Sequence, residues 1–190
     1  KLEQFGDFTF NRPSMAAVWK KTLSDKKWQE ASGTFSRKEK ENWTFNKKIP
    51  SSWILDVENI KMKISPTSFG HVGIFPEHLF LCNWASNRVK KTKNKPIKVL
   101  NLFAYTGMMS MFLAKSGAKV THLDASSPTI AIAKENAKLN KLPIDSIRWI
   151  ADDAVKFLKR EIRRKSFYDG IILDPPSFGR GPKGEIFKIE

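Results

Sequence analysis

The chain has 190 residues, which is room for one domain, or for one domain with a small attachment. Apolar residues make up 41% and charged residues 28% of the sequence, a balance that excludes an intrinsically disordered chain. Lys and Arg number 34 against 19 Asp and Glu. The resulting net charge of +15 favours a polyanionic partner, nucleic acid first and an anionic membrane surface second.

Membrane insertion and disulfide bonding are not predicted. The sequence has no run of about 18 uncharged apolar residues, and its first residues lack the apolar core of a signal peptide. The single cysteine, Cys82, excludes an internal disulfide and a zinc ribbon. These features fit a reducing, cytoplasmic location. Because the chain opens at Lys1 rather than Met, we expect it to be a fragment of a longer protein.

Residues 1–65 are predicted to form a small β-rich domain. Short alternating or aromatic runs between turn-forming residues predict strands at 8–10, 43–48, 53–57 and 60–64, with helical patterns at 15–23 and 26–31. Four of the six tryptophans lie in this region: Trp19, Trp28, Trp43 and Trp53. They either form a small aromatic core or stack on nucleic-acid bases, and the core is the expectation for each of them.

Residues 66–95 are predicted to be a loop and a helix that lead into the next domain. Gly70, Gly73 and Pro76 punctuate the loop, and Pro76 suits the first turn of a helix that runs toward Arg88. The lysine-rich run at 90–96 is typical of a solvated connector.

Residues 96–190 alternate between strand and helix patterns. Strands are predicted at 97–103, 119–124, 146–152 and 168–174, and helices at 107–118, 127–141 and 154–165. Helices between short apolar strands are typical of a parallel sheet with right-handed crossovers. The predicted fold class is therefore α/β, a Rossmann-like doubly wound parallel sheet that follows the small β-rich domain along the chain.

Each of the four predicted strands is followed by a turn that carries Asn or Asp. The turns are 101–107, Asp124, Asp152 with Asp153, and 174–178. In open parallel sheets, ligands bind beyond the carboxyl ends of the strands, at the point where the strand order switches. The four turns therefore predict one ligand site.

The chemistry of these turns indicates a nucleoside without a pyrophosphate. The first turn lacks the glycine fingerprint of dinucleotide sites, since Phe103 and Tyr105 stand where small residues are needed, which disfavours NAD and FAD. Asp124 follows Gly107 by 17 residues, close to the spacing at which an acid accepts two ribose hydroxyls. A nucleoside with a cationic group near carboxylates and Tyr105 describes S-adenosylmethionine.

Helix capping is the simpler explanation for each aspartate taken alone. For Asp124 alone, a helix cap and a ligand contact are equally good explanations. Asp153 by itself is better explained as the cap of the following helix. The turn DPPSF at 174–178 is more specific, because two prolines remove two N–H donors and leave carbonyl groups facing the cleft. With Asp174, these carbonyls suit an amine that donates hydrogen bonds, and Phe178 suits stacking on a planar base.

The motifs NLFAYTG, HLDAS, ADDA and DPPSF, in this order, resemble the class I S-adenosylmethionine-dependent methyltransferases. The branch that is most similar contains the bacterial 23S ribosomal RNA methyltransferases of cytosine and guanine. The segment PTSFGHVGIFPEHLFLCNW is similar to the loop and helix of that branch, so the resemblance covers residues 66–180. It implies S-adenosylmethionine as cofactor and ribosomal RNA as partner.

The resemblance also implies a role for particular positions. The implied donor contacts are Phe75, Pro76, Glu77, Phe103, Ala104, Tyr105, Thr106, Gly107, Asp124, Ala125, Ser126, Asp152, Asp153 and Ala154. Asp124 would accept the ribose hydroxyls, residues 103–107 would wall the methionine part, and residues 152–154 would meet the adenine. Asp174, Pro175, Pro176 and Phe178 would face the target base.

Two departures from the family pattern shape our expectations. The family sheet has seven strands, so we expect this fold to be truncated after the fourth strand, which leaves 168–174 as an unpaired edge. Carbon-5 methylation of cytosine needs a cysteine nucleophile, and DPPSF has none. Cys82 is expected to be a small buried apolar residue, so direct transfer to an exocyclic amine is equally tenable.

We therefore predict a methyltransferase that modifies a base of ribosomal RNA. A methyltransferase of a protein or small molecule, and a non-catalytic RNA-binding relative of the fold, are the alternatives. No metal is expected, because His71, His78 and His122 are scattered along the sequence and a structural role is expected for each. The sequence does not decide the target nucleotide or the oligomeric state.

Overall fold

The computed structural model describes residues 1–14, 16–37, 42–92, 96–176, 178–180 and 186–188. The chain divides into two compact units, Lys1–Ile74 and Phe75–Glu190. We predicted the segments 1–65, 66–95 and 96–190, and the separate roles assigned to them stay a prediction.

The first unit contains a four-stranded sheet and a hairpin. The sheet has the order β1 (Leu2–Phe5), β2 (Phe8–Asn11), β3 (Gly33–Ser36) and β4 (Asn42–Phe45). Its β2–β3 pair is parallel and its other pairs are antiparallel. The hairpin joins β5 (Trp53–Val57) to β6 (Ile60–Ile64), and the short helix α1 spans Asp25–Gln29. The predicted strands 53–57 and 60–64 are confirmed at both ends.

An aromatic core fills this unit. Phe5, Phe10 and Phe35 are buried, and the rings of Trp43 and Trp53 lie 5.2 and 6.0 Å from that of Phe10. The indole N–H of Trp43 donates to the Thr67 carbonyl at 2.7 Å, and that of Trp53 donates to the Phe5 carbonyl at 3.2 Å. The core interpretation is therefore confirmed for these two tryptophans.

The predicted helix at 15–23 is wrong in its described part. Residues 16–23 are irregular, and Met15 lies outside the described residues. Val18 is 87% and Trp19 72% exposed, so the segment has no buried face. A helix of this length is unstable without packing, which explains the failure and also removes Trp19 from the core.

The second unit contains a parallel sheet with the strand order β10-β7-β8-β9. Its strands are β7 (Lys98–Leu102), β8 (Lys119–Asp124), β9 (Ile147–Ala151) and β10 (Gly170–Leu173). The helices are α2 (Leu79–Lys91), α3 (Met108–Lys115), α4 (Ser127–Leu139) and α5 (Ala154–Arg163). A short antiparallel pair, β11 (Phe178–Arg180) and β12 (Ile186–Lys188), follows β10.

Alternation along β7 places α3 and α5 on opposite faces of this sheet. The Asn101 side chain hydrogen-bonds Ser110 of α3 at 3.0 Å, whereas Leu100 and Leu102 form a buried cluster with Phe157 of α5. Successive side chains of a strand point to opposite faces, so both faces are covered. The chain runs from β7 through β8 to β9 and then returns to the other side of β7 as β10. This is the predicted doubly wound α/β class.

Two details differ from the prediction or bear on it. The helix expected from Pro76 begins as a 3₁₀ turn, Pro76–His78, before α2 continues to Lys91. Within the described residues β10 pairs only with β7, and Ile171 and Leu173 are 55% and 56% exposed, as expected of an edge strand.

Helices long and apolar enough to cross a membrane are not found in the described part of the chain.

Candidate active site at the carboxyl edge of the sheet

The four predicted turns lie at one edge of the sheet. In the parallel ladders Leu102 pairs with both Leu123 and Leu173, and Asp124 pairs with Ala151, so the strands end almost level. The residues that follow them therefore start from the same edge. This is the arrangement on which the predicted ligand site depends.

The turn after β7 has an unusual backbone. Phe103, Tyr105 and Gly107 have φ angles of 54°, 51° and 90°, in the left-handed region that most side chains disfavour. The turn is held by the Ala104 N–H, which donates to the Leu123 carbonyl at 3.0 Å. The N–H groups of Tyr105 and Gly107 are also used within the chain, since they donate to Oδ2 of Asp124 and to the Ala104 carbonyl. Such strain persists where the surroundings fix it, often at functional sites.

Burial of the side chains alternates along this turn. Ala104 and Thr106 are 8% and 3% exposed, whereas Phe103 and Tyr105 are half-buried. Asn136 of α4 donates to the Thr106 carbonyl at 2.9 Å and anchors the turn from below. The Phe103 ring packs partly against the buried cluster around Phe157, and the Tyr105 ring is partly exposed at the sheet edge.

Asp124 connects the first two turns. Its Oδ2 accepts from the Tyr105 N–H and its Oδ1 from the Ser126 N–H, both at 2.9 Å. The cap of α4 is Ser126, whose Oγ accepts from the Thr129 N–H at 3.3 Å. The capping alternative for Asp124 is therefore wrong. A carboxylate has about four lone-pair sites, so two backbone bonds leave capacity for a ligand.

Asp153 and Asp152 form hydrogen bonds that stabilise the start of α5. Asp153 caps α5, since its Oδ1 accepts from the Lys156 N–H at 2.8 Å, which confirms the capping explanation for it. Oδ1 of Asp152 accepts from the Asp153 N–H at 2.8 Å, and its Oδ2 pairs with Arg160. Ala154 is buried at the start of α5. None of these contacts assigns the three residues to adenine, and that role stays a prediction.

The segment before α2 reaches the same edge. The Phe75 ring lies 5.3 Å from the Tyr105 ring, and Nε2 of His78 lies 3.0 Å from Oδ2 of Asp174. Pro76 and Glu77 are exposed in the 3₁₀ turn between them. From the sequence we expected His78 to lie near the predicted pocket and to have a structural role. Its contact with Asp174 joins residues 96 positions apart, a proximity that no local pattern can signal.

The Asp-Pro-Pro turn follows β10 directly. The Asp174 side chain is 68% exposed, Pro175 is half-buried and Pro176 is exposed. Ser177 and the side chain of Phe178 lie outside the described part of the chain, so the predicted stacking of Phe178 stays a prediction.

A buried polar chain supports the first turn. The Asn101 amide donates to Ser110 Oγ at 3.0 Å, and that hydroxyl lies 3.0 Å from Nδ1 of His122. Burial lowers the pKa of His122 to about 3, while the backbone carbonyl of Tyr105 acts in the opposite direction. His122 is therefore neutral near pH 7. The Ser110 hydroxyl has two acceptor sites and one donor, so it can accept from Asn101 and still hydrogen-bond Nδ1 in either direction.

Metal binding has no support among the described residues, where groups of three or more His, Cys, Asp or Glu suited to a metal ion are not found. Cys82 is fully buried on the face of α2 that packs against α3. The expectation that it is a small buried residue is confirmed.

Residues 57–185 match the family of S-adenosylmethionine-dependent methyltransferases, and the chain belongs to this family. The match confirms the class predicted from the four motifs.

Individual relatives are similar over different shares of their length. The ribosomal RNA large subunit methyltransferase K/L of Shewanella sp. strain ANA-3 is 35% identical over 127 residues, which are 66% of this chain and 17% of that protein. The solved structure of the SAM-dependent methyltransferase from Agrobacterium tumefaciens is 43% identical with a TM-score of 0.91, covering 98% of this chain and 60% of that one. The chain thus spans less than a fifth of this curated relative.

A more distant structure shares the fold. SMU.776, solved with S-adenosylhomocysteine, is 22% identical with a TM-score of 0.76, covering 98% of this chain and 50% of that one.

Proposed function

We propose that this chain is the donor-binding part of an enzyme that transfers a methyl group from S-adenosylmethionine to a base of ribosomal RNA. The observation that carries the proposal is the position of Asp124. Its carboxylate is held at the sheet edge by the N–H groups of Tyr105 and Ser126, which belong to the turns after β7 and β8. A fixed carboxylate at the end of a strand, beside a glycine-containing turn, suits the hydroxyls of a ribose.

The residues of the edge fit this cofactor. Asp124 would accept the ribose hydroxyls, and the Tyr105 ring, next to Phe75, would face the sulfonium. The backbone of residues 103–107 would line the methionine part, and Ala125, Ser126 and residues 152–154 would border the adenine. When bound, S-adenosylmethionine supplies an electrophilic methyl group. The chain's own contribution is to hold donor and acceptor in reactive proximity.

The acceptor side of the site lies at the turn after β10. Asp174 accepts hydrogen bonds, and Pro175 and Pro176 have no N–H to compete for the carbonyls around them. His78, 3.0 Å from Asp174, orients its carboxylate. This set of acceptors favours an exocyclic amine of a base as the methylated group. If the target is carbon 5 of cytosine instead, the nucleophilic cysteine lies elsewhere in the protein, because Cys82 is buried.

Ribosomal RNA as substrate is supported by the K/L relative and by charge. The relative's name states that substrate, and the first 100 residues hold 19 basic against 9 acidic side chains. An excess of this size attracts a polyanion. A cytoplasmic location is part of this proposal, because it fits action on ribosomal RNA.

Isothermal titration of the full-length protein with S-adenosylmethionine tests the donor site. We expect binding, and we expect Asp124→Ala to weaken it at least about tenfold, because two hydrogen bonds to a charged acceptor are lost. Asp145→Ala is the matched control, since Asp145 is an exposed carboxylate at the amino end of β9. Melting curves of both variants show whether each one is folded.

Two results would contradict the proposal. Absence of binding by the unmodified protein removes the enzyme and leaves the non-catalytic RNA-binding alternative. Unchanged affinity of a folded Asp124→Ala variant refutes the ribose assignment. Mass spectrometry of ribosomal RNA from a deletion strain then identifies the base and the atom, and an unaltered pattern favours a protein or small-molecule substrate.

A further inference from the structure

The solvent face of α2 carries two aromatic rings and an arginine. Phe80, Trp84 and Arg88 follow one another at intervals of four residues and therefore share one face of the helix. Phe80 is 83% and Trp84 51% exposed, and the Arg88 guanidinium lies 5.5 Å from the centre of the Trp84 ring. We refer to these three residues as the α2 stripe.

Packing within the second unit does not account for the stripe. α2 contacts α3, and its buried residues are Cys82, Ala85, Ser86 and Val89, which lie on the other side of the helix. The rings of Phe80 and Trp84 are thus left in solvent within the described structure. Large exposed aromatic side chains in a row mark a surface for interaction.

Charge indicates the chemistry of the partner. The 13 residues of α2 include Arg88, Lys90 and Lys91 and contain no Asp or Glu. A partner for this face is therefore anionic, and it also presents flat apolar surfaces to the rings. Single-stranded nucleic acid has both properties, because its bases stack on aromatic side chains while its phosphates lie near cations.

The stripe starts next to the acceptor side of the site. α2 begins one residue after His78, whose Nε2 lies 3.0 Å from Asp174. From Phe80 to Arg88 the helix rises about 12 Å. At about 3.4 Å per stacked nucleotide, this distance matches three to four nucleotides.

We propose that the α2 stripe binds the single-stranded RNA that flanks the target base. Phe80 and Trp84, about 6 Å apart along the helix, stack on bases about two nucleotides apart, and Arg88 meets the backbone beyond them. The inference rests on the proposed function, since it takes Asp174 as the point where the target base arrives. It adds a binding surface on α2, outside the donor site and the β-rich first unit.

Fluorescence anisotropy with a labelled 12-nucleotide oligoadenylate tests the stripe in the full-length protein. We expect Trp84→Ala to weaken binding on the order of tenfold, because one base loses its stacking partner, and Trp84→Phe to restore most of the affinity. Arg88→Ala is expected to lower the slope of log affinity against log salt by about 1. The matched pair is Phe80→Ala and Phe167→Ala, since both rings are 83% exposed but Phe167 precedes β10 at the opposite edge of the sheet.

The outcomes separate the stripe from the rest of the mechanism. Weaker RNA binding by Phe80→Ala and Trp84→Ala, with Phe167→Ala unchanged and S-adenosylmethionine affinity retained in each variant, supports the proposal. Equal RNA affinity of all variants overturns it. A change of sedimentation coefficient in Trp84→Ala with unchanged RNA affinity also overturns it and assigns the stripe to contact with a second copy. If the unmodified protein fails to bind S-adenosylmethionine, the proposed function is wrong. The oligoadenylate titration then still shows whether the α2 stripe binds RNA.

Discussion

His122 shows how one buried side chain couples the acidity of the solvent to the candidate site. Its ring is fully buried under the turn that follows β7 and is connected to Asn101 through Ser110. Because burial lowers its pKa to about 3, the folded protein keeps the ring neutral. The unfolded chain has no such constraint, and there the ring titrates near its ordinary value of about 6.5.

The consequence is a loss of stability in mild acid. As the pH falls from about 6.5 toward 3, His122 binds a proton in the unfolded state but stays neutral in the folded state. The free energy of unfolding therefore declines by up to about 1.4 kcal/mol per pH unit. Between pH 7 and pH 5 we expect His122 alone to account for about 2 kcal/mol. Urea unfolding at both pH values measures this, with His122→Asn as comparison. A variant that loses as much stability as the unmodified protein over this range would contradict the assignment.

Individual residues of the site were predictable where the chemistry is local. Asp124 was correctly predicted at the end of a strand and Asp153 as a cap, while the ribose role of Asp124 stays a prediction. The contact of His78 with Asp174 was not predicted, because the two residues lie far apart in the sequence. The left-handed backbone at Phe103 and Tyr105 was also missed, since neither residue type favours that region.

At the scale of elements, Gly107 fixes how α3 starts against α4. Its φ is +90°, and a Cβ atom at this position would lie 3.0 Å from Cε of Met111 and 3.3 Å from Cβ of Ala133. Gly117 has a similar φ of +97° but open space around a Cβ. The two glycines therefore share the conformational cost of a substitution and differ in its steric cost.

We expect Gly117→Ala to cost about 1 kcal/mol of unfolding free energy and Gly107→Ala about 1–3 kcal/mol, because only the latter brings a Cβ into tight contact with Met111 and Ala133. Gly107→Ala is also expected to weaken donor binding, since the turn and the start of α3 move together. Urea unfolding and calorimetric titration of both variants check this, and equal losses of stability would show that packing around Gly107 is irrelevant.

The helices and strands of the second unit were predictable because the spacing of their apolar residues matches the faces that they bury. The predicted strand 119–124 matches β8 at both ends, and 127–141 covers α4 with its Ser126 cap. In the first unit β1 and β3 were missed. β3 is only four residues long, and its parallel partner β2 lies more than 20 residues earlier, so its pairing leaves no local signal.

For the whole molecule, the net charge of +15 governs how it meets a polyanion. For about four phosphate contacts to single-stranded RNA, raising the salt from about 50 to 200 mM should weaken binding roughly 50-fold. The affinity for S-adenosylmethionine should change by less than about twofold, because Asp124 and Tyr105 of the proposed donor site are partly buried and salt screens such groups less. Titrations of RNA and donor at both salt concentrations test this contrast, and parallel losses for the two ligands would contradict it.

The change from short strand patterns in 1–65 to alternating strand and helix patterns from residue 96 predicted a β-rich part followed by an α/β part. The strand order was not, because sequence shows which segments form strands but not which ones become neighbours. That β10 returns beside β7 is set by packing between distant segments.

This order has a geometric consequence for anything held in the site. Asp124 ends β8 and Asp174 follows β10, and β7 lies between these two strands. With about 4.8 Å from each strand to the next, the two carboxylates are anchored on strands about 10 Å apart. A ligand that touches both must lie crosswise over the end of β7. If the proposed roles of Asp124 and Asp174 hold, its sugar lies above one flank and its transferable carbon reaches toward the other.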